Sequence, residues 1–191
     1  MGPTCVASST VVGRAAVDPI YSLRLTTGGH PGDPAHDSAA GFLQRLHAEQ
    51  SRDYDGARPF YAGWWGVGYE GVDNDRGADL ATTEIGSRTG VSYSAHDVST
   101  PTDARAVLPQ VERAVDSGQP VPISISGTIA GQPAGHQVLV IGHQGSMLQV
   151  YNPWGYTVWV SEDDFVNGHM DKTVQGANLP QVTNVRVPEA R

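Results

Sequence analysis

The 191-residue sequence predicts an α+β fold, with helices gathered in the first part and an antiparallel sheet in the last third. Two observations predict it. Up to about residue 118 the recognisable segments carry helical spacing or helix start and stop residues. From residue 119 the texture becomes short β-branched and aromatic runs separated by Gly, Pro and polar turns. The length suits one domain with a real core, so the reading is a single domain over 1–191, helical to about 118 and sheet beyond it.

The elements follow in order. "CVASSTVVGRAA", residues 5–16, holds small and apolar residues without Pro, and Thr4 can cap its start; a helix begins at or just before Cys5. "TTGGHPGDPAHD", 26–37, is a loop by its Gly and Pro content. Ala39, Phe42, Leu43 and Leu46 recur at helical spacing, which predicts a second helix over 38–50. "YAGWWGVGYEGVDND", 61–75, has no clear period and reads as a long loop or irregular strands. Asp75 can cap a third helix over 77–88, stopped by Gly90. "VSYSAHDV" reads as a strand. "TPTDARAVLPQVERAVDSG", 100–118, is a helix that Pro109 should bend or break. "PVPISISG", "HQVLVIG", "MLQVYN", "YTVWVS" and "VTNVRV" then read as strands.

Composition excludes several function classes. The net charge is −8 with only 12 Lys and Arg, which disfavours nucleic acid as a partner because phosphate contacts need cations. No run of 18 apolar residues is present to span a membrane. Met1 is not followed by a basic and then an apolar stretch, so the reading is a cytosolic protein or a domain of a longer secreted chain. The Gly, Ala, Pro and Val bias fits a high-GC bacterial gene. The lone Cys5 can form neither an intramolecular disulfide nor a Cys-rich zinc site.

Three residues form a candidate nucleophilic constellation. A nucleophilic Cys acts as thiolate, and a helix N-terminus with an imidazolium nearby lowers its pKa from about 8.5. Cys5 stands where the first helix starts. His136 opens the strand "HQVLVIG", and a rigid strand suits a base that must meet sulfur. Asn152 ends the next strand, "MLQVYN". A hairpin through 142–146 sets His136 and Asn152 side by side across the sheet, where the amide can orient the ring.

"GPTC", "GHQVLVIG" and "YNPWG" resemble the three motifs of papain-like cysteine peptidases. His136 and Asn152 lie 131 and 147 positions after Cys5, within the range of about 130–150 for papain-type enzymes. The resemblance covers roughly the first ten residues and 120–165, and it implies a papain-like fold with a central helix headed by the Cys. It implies Cys5 as nucleophile, His136 as general base and acid, and Asn152 as orienter. Trp154 would shield the His–Asn bond and Gly155 would permit the turn. "SEDDF" looks like the bacterial branch that includes bacteriocin-processing and toxin-associated members. Val6 replaces the family's usual Trp after the Cys. The family's oxyanion Gln lies several residues before the Cys, where this sequence has four residues, so another donor is expected: the Cys5 N–H, with Gln137 or Gln119 as further candidates. The implied function is a cysteine hydrolase or peptidase of a secreted bacterial effector or toxin, acting on protein or peptide, with a cognate inhibitor or immunity protein as partner and no cofactor. A deamidase or acyl transferase using the same triad, and an inactive binding module, stay open as alternatives.

The remaining motifs weigh less. His143 falls in the expected turn and faces a residue near the turn, so His136 is preferred. Gln137 should point to the opposite sheet face and is grouped with Trp154, Trp64 and Trp65 as substrate-binding or shielding. Trp64, Trp65 and Tyr69 either line a cleft or pack under a loop. His30, Asp33, His36 and Asp37 read as loop residues before metal ligands. Asp73 to Asp79 lacks the Gly position and closing Glu of a calcium loop. Ser8 and Ser9 read as helix residues, not nucleophiles.

Overall fold

The computed structural model describes residues 5–57 and 74–190. Thr4 and most of the aromatic stretch, with Trp64, Trp65 and Tyr69, lie outside the described residues. The described elements are α1 (Cys5–Val17), α2 (Pro19–Thr27), α3 (Ala39–Ala57), α4 (Asn74–Ala81), α5 (Ser87–Thr89), β1 (Val91–Asp97), α6 (Pro101–Asp116), β2 (Val121–Ile129), β3 (Gln132–Gln144), β4 (Met147–Asn152), β5 (Tyr156–Ser161), α7 (Glu162–Asn167) and β6 (Asn178–Ala190). A π-helical turn, Thr82–Gly86, joins α4 to α5, and a 3-10 turn, Met170–Thr173, follows α7.

The fold is α+β. The six strands form one sheet in the order β1-β6-β2-β3-β4-β5, and every neighbouring pair is antiparallel. One face carries Val121, Ile123, Ile125, Val138, Val140, Leu148, Val150 and Val185, which pack with Val107, Leu108 and Val111 of α6 and Phe165 of α7. The same face of a strand recurs every second residue, so these side chains form one apolar layer. The opposite face carries the polar Ser124, Gln137, Asn184 and Arg186, and α1 and α4 pack on that side. Residues 136–140 of β3 are buried without interruption, because both faces of this strand are covered.

α1 is small-sided and interior: Val6 through Val11 are all buried. A Cβ at Gly13 would sit 2.5 Å from Ile85 Cδ1, so Gly lets this helix approach the π-helical turn. Gln50 of α3 donates to Ser8 Oγ at 3.0 Å, which pins α3 along the other side. Ser8 and Ser9 are buried helix residues.

Three expectations are corrected. α6 runs unbroken through Pro109. Pro109 is exposed, so the carbonyl left without a donor one turn earlier faces water, while Val107, Leu108 and Val111 hold the other side on the sheet. The third helix begins at Asn74, so Asp75 lies in its first turn instead of capping it, and a π-helical turn interrupts it before Gly90 closes α5 in the left-handed region at φ 77°. α2 lies where no element was expected, although its signals were present: Asp18 accepts from the Tyr21 N–H, Pro19 follows, and Gly28 ends it at φ 64°.

Candidate active site

β4 ends in Asn152 and turns into β5 through Pro153, Trp154 and Gly155. The Gly155 N–H donates to the Asn152 carbonyl at 2.9 Å, and Gly155 takes φ 97°, which its lack of a side chain permits. The β3–β4 pairs stop at Leu139↔Tyr151. Continuing that register sets Asn152 opposite Val138, and His136 one same-face step beyond, so His136 and Asn152 are diagonal neighbours across the pair.

Their hydrogen bond has a fixed sense. Asn152 is fully buried, and its Nδ2 donates to the Thr173 carbonyl at 2.6 Å and to Tyr156 Oη at 3.0 Å. A carbonyl only accepts, so this edge of the amide is the NH₂ group. The Oδ1 edge accepts the Trp154 N–H at 2.9 Å and meets His136 Nε2 at 3.2 Å. Nε2 must therefore carry the proton, and the neutral ring keeps its lone pair on Nδ1. The indole of Trp154 stands against the imidazole, with centroids 5.4 Å apart at 49°, and is 41% exposed. Its ring thus touches the imidazole while its backbone N–H holds the Asn152 amide. His136 is 8% exposed, and burial pushes its pKa below 6.5 against the raising effect of Asn152.

Cys5 heads α1 and is partly buried. Backbone N–H groups of Gln137, Val6 and Cys5 itself are directed at the sulfur and favour the thiolate, as does the charge of Arg186, yet burial outweighs them and raises the thiol above its ordinary value. The expected lowering of the thiol pKa is thus reversed in sign: the helix start pulls down, and desolvation wins. Burial thus favours the neutral form of each group, the thiol of Cys5 and the imidazole of His136.

The other expected residues divide clearly. The Gln137 side chain does leave on the face opposite His136, but it is 3% exposed and accepts from Arg186 Nη1 at 2.8 Å; it is an interior residue, and its backbone N–H is the part that meets the sulfur. Gln119 precedes β2 by two residues, whereas His136 pairs with Ile125, so about 20 Å of strand separates Gln119 from the His136 level. Trp64 and Trp65 lie outside the described residues.

His143 is a β3 residue paired with Leu148, since the strand runs to Gln144 and only Gly145 and Ser146 make the turn. Its Nδ1 meets Asp116 at 3.2 Å and its Nε2 meets the Gly145 carbonyl at 2.7 Å. Both partners accept, so the ring is best satisfied as imidazolium, and its pKa is raised. Ligand atoms of His143, Glu112 and Glu162 lie within 4.8 Å of one another, but a metal on Nε2 would have to displace the proton that bonds the Gly145 carbonyl. His36 and Asp33 bond each other at 2.9 Å and Asp37 accepts from Gly32, so these residues brace their own loop.

No protein-family model and no curated protein matches the chain. Among solved structures the chain is similar to the Pseudomonas avirulence protein AvrPphB at 14% identity, covering 97% of this chain and 90% of that one with a TM-score of 0.44. It is also similar to the interpain A cysteine protease of Prevotella intermedia at 15% identity, covering 87% of this chain and 62% of that one with a TM-score of 0.47. At these values the reading of the site rests on this chain's own residues. No described helix is long and apolar enough to cross a membrane.

Proposed function

We propose that the chain is one papain-like cysteine hydrolase domain that opens an amide bond of a protein or peptide with Cys5, His136 and Asn152. The observation that carries this reading is the Asn152 amide, whose orientation is set by Thr173 and Trp154 and which fixes the protonated nitrogen of His136. That leaves Nδ1 as the base, on the residue adjacent to Gln137, whose N–H meets the Cys5 sulfur. Nδ1 takes the thiol proton as sulfur attacks the carbonyl carbon. The Cys5 N–H at the head of α1 is available to the developing oxyanion. The imidazolium, still held by Asn152, returns the proton to the departing amine, and a thioester remains. Water, deprotonated by the same Nδ1, then releases the acid and restores the thiol. Neutral partners make proton transfer part of the attack. The motif resemblance supports the setting of a secreted or translocated bacterial effector or toxin with a cognate inhibitor.

The test is to incubate the chain and a Cys5→Ala control with a denatured protein extract and to read new N-termini by mass spectrometry. New N-termini with the unaltered chain alone support cleavage. Gln-to-Glu conversion without new termini replaces cleavage by deamidation. Neither product, together with a Cys5 that reacts with iodoacetamide only after denaturation, overturns the enzyme reading.

A further inference from the structure

Arg186 of β6 is 1% exposed, an unusual place for a guanidinium. Among the described residues it is held from α4, β2 and β3. Nε donates to the Asn74 carbonyl at 3.2 Å and Nη2 to Asn74 Oδ1 at 3.1 Å, at the start of α4. Nη1 donates to Ser124 Oγ of β2 at 3.2 Å and to Gln137 Oε1 of β3 at 2.8 Å. The group lies flush on α4: a Cβ at Gly77 would stand 2.7 Å from Nε and 2.9 Å from Cζ. An apolar side chain could fill this space, but it could not grip Gln137, the residue between His136 and the covered strand core.

We propose that Arg186 is a positioning residue of the candidate site, which locks Gln137 so that its backbone N–H stays on the Cys5 sulfur and His136 keeps its place at the open end of β3. The geometry gives a path from α4 and β2 to the guanidinium, from the guanidinium to the Gln137 amide, and along the chain to His136, while the Gln137 backbone N–H favours the Cys5 thiolate. The planar fork of Arg reaches several acceptors at once, which a Lys ammonium on the same stem does not reproduce. The charge of Arg186 also favours the thiolate of Cys5.

The inference rests on Cys5 being the nucleophile, and its test needs no substrate. The rate of Cys5 alkylation by iodoacetamide is followed from pH 5 to 10 in the unaltered chain and in Arg186→Lys, Arg186→Met and Gln137→Leu, each checked for folding by circular dichroism. Arg186→Met is expected to move the alkylation midpoint up by roughly half a unit to one unit, which slows labelling about three- to tenfold at pH 8. Gln137→Leu, which keeps the cation and loses the link, is expected to slow labelling at pH 8 at least twofold. Arg186→Lys should fall between the unaltered chain and Arg186→Met. Folded Arg186→Met or Arg186→Lys with an unchanged profile overturns the proposal. If both fail to fold, Gln137→Leu decides alone: an unchanged profile in that folded variant overturns it. A chain that cleaves nothing but shows these shifts loses the hydrolase reading and keeps the positioning role.

Discussion

Gly135-His136-Gln137 and Gly142-His143-Gln144 present the same three residues on one strand, yet the two rings live under opposite chemistry. His136 is buried against Trp154, bonded to a neutral amide, and held below 6.5. His143 lies near the surface among Asp116, Glu112 and Glu162, and is held above 6.5. A neutral amide favours the charged ring too weakly to offset burial at His136, whereas the carboxylate beside His143 adds its own charge in favour of imidazolium. A base must start neutral, so the partner decides which His can serve and the neighbouring residues in sequence do not. Alternation alone would also put two residues seven apart on opposite faces. The bulge between Val140 and Gly142 adds one residue to β3 and returns His143 to the face of His136, under the end of α6.

Loss of each ring gives the sharpest contrast. His136→Ala is expected to slow acylation of Cys5 by about 10²–10⁴-fold, the range of a lost general base, while His143→Ala stays within about threefold. Rates on a cleaved peptide, with Cys5→Ala as the inactive reference, measure both. Comparable losses in the two variants would break the comparison and return His143 to the site.

Asn152→Ala should come next. It removes the proposed orienter and adds no charge, so a loss of about 10–100-fold is expected, less than for His136→Ala. It also removes one of two donors to the Thr173 carbonyl, which keeps Tyr156 Oη, so the melting temperature should fall as expected for about 0.5–1.5 kcal/mol. Trp154→Ala should resemble Asn152→Ala in rate, because the backbone N–H that holds Oδ1 survives while the ring against the imidazole is gone. A folded Asn152→Ala chain as inactive as Cys5→Ala would give the amide more than an orienting role.

Imidazole titration by NMR separates the rings without activity. His136 should titrate below 6.5 and His143 above it. The stability signs are opposite. The depressed pKa of His136 contributes stability that is present above 6.5 and lost as pH falls through its folded value. The raised pKa of His143 contributes stability that is present below 6.5 and lost as pH rises through its folded value. Reversed titration order would show that burial and partner charge do not rule these rings.

The smallest effect is expected from Asp116→Asn. It should lower the His143 titration and leave His136 unmoved, with a stability change under about 1 kcal/mol, because Asp116 is exposed and water screens the pair. A matching shift at His136 would mean that the two sites are coupled.

Much of this arrangement was legible in the residues. β-branched runs broken by Gly and Pro foretold β1 to β6, since side-chain alternation is a local property of a pleated strand. The helix headed by Cys5 and the diagonal nearness of His136 and Asn152 followed from helix-start chemistry and one short hairpin, both contained in short segments. Asp18-Pro19 and Gly28 carried α2 in plain sight as start and stop residues. Other features had no local cause. The bulge that turned His143 back, the exposed setting that let α6 pass through Pro109, and the burial that raised Cys5 despite its helix start each depend on what packs against the residue from elsewhere. So does Arg186, whose acceptors among the described residues include positions 74, 124 and 137. Hydrogen-bond partners and desolvation are set by neighbours in space. The sequence therefore determined the elements and the candidate trio, and the tertiary structure alone decided the proton positions within it.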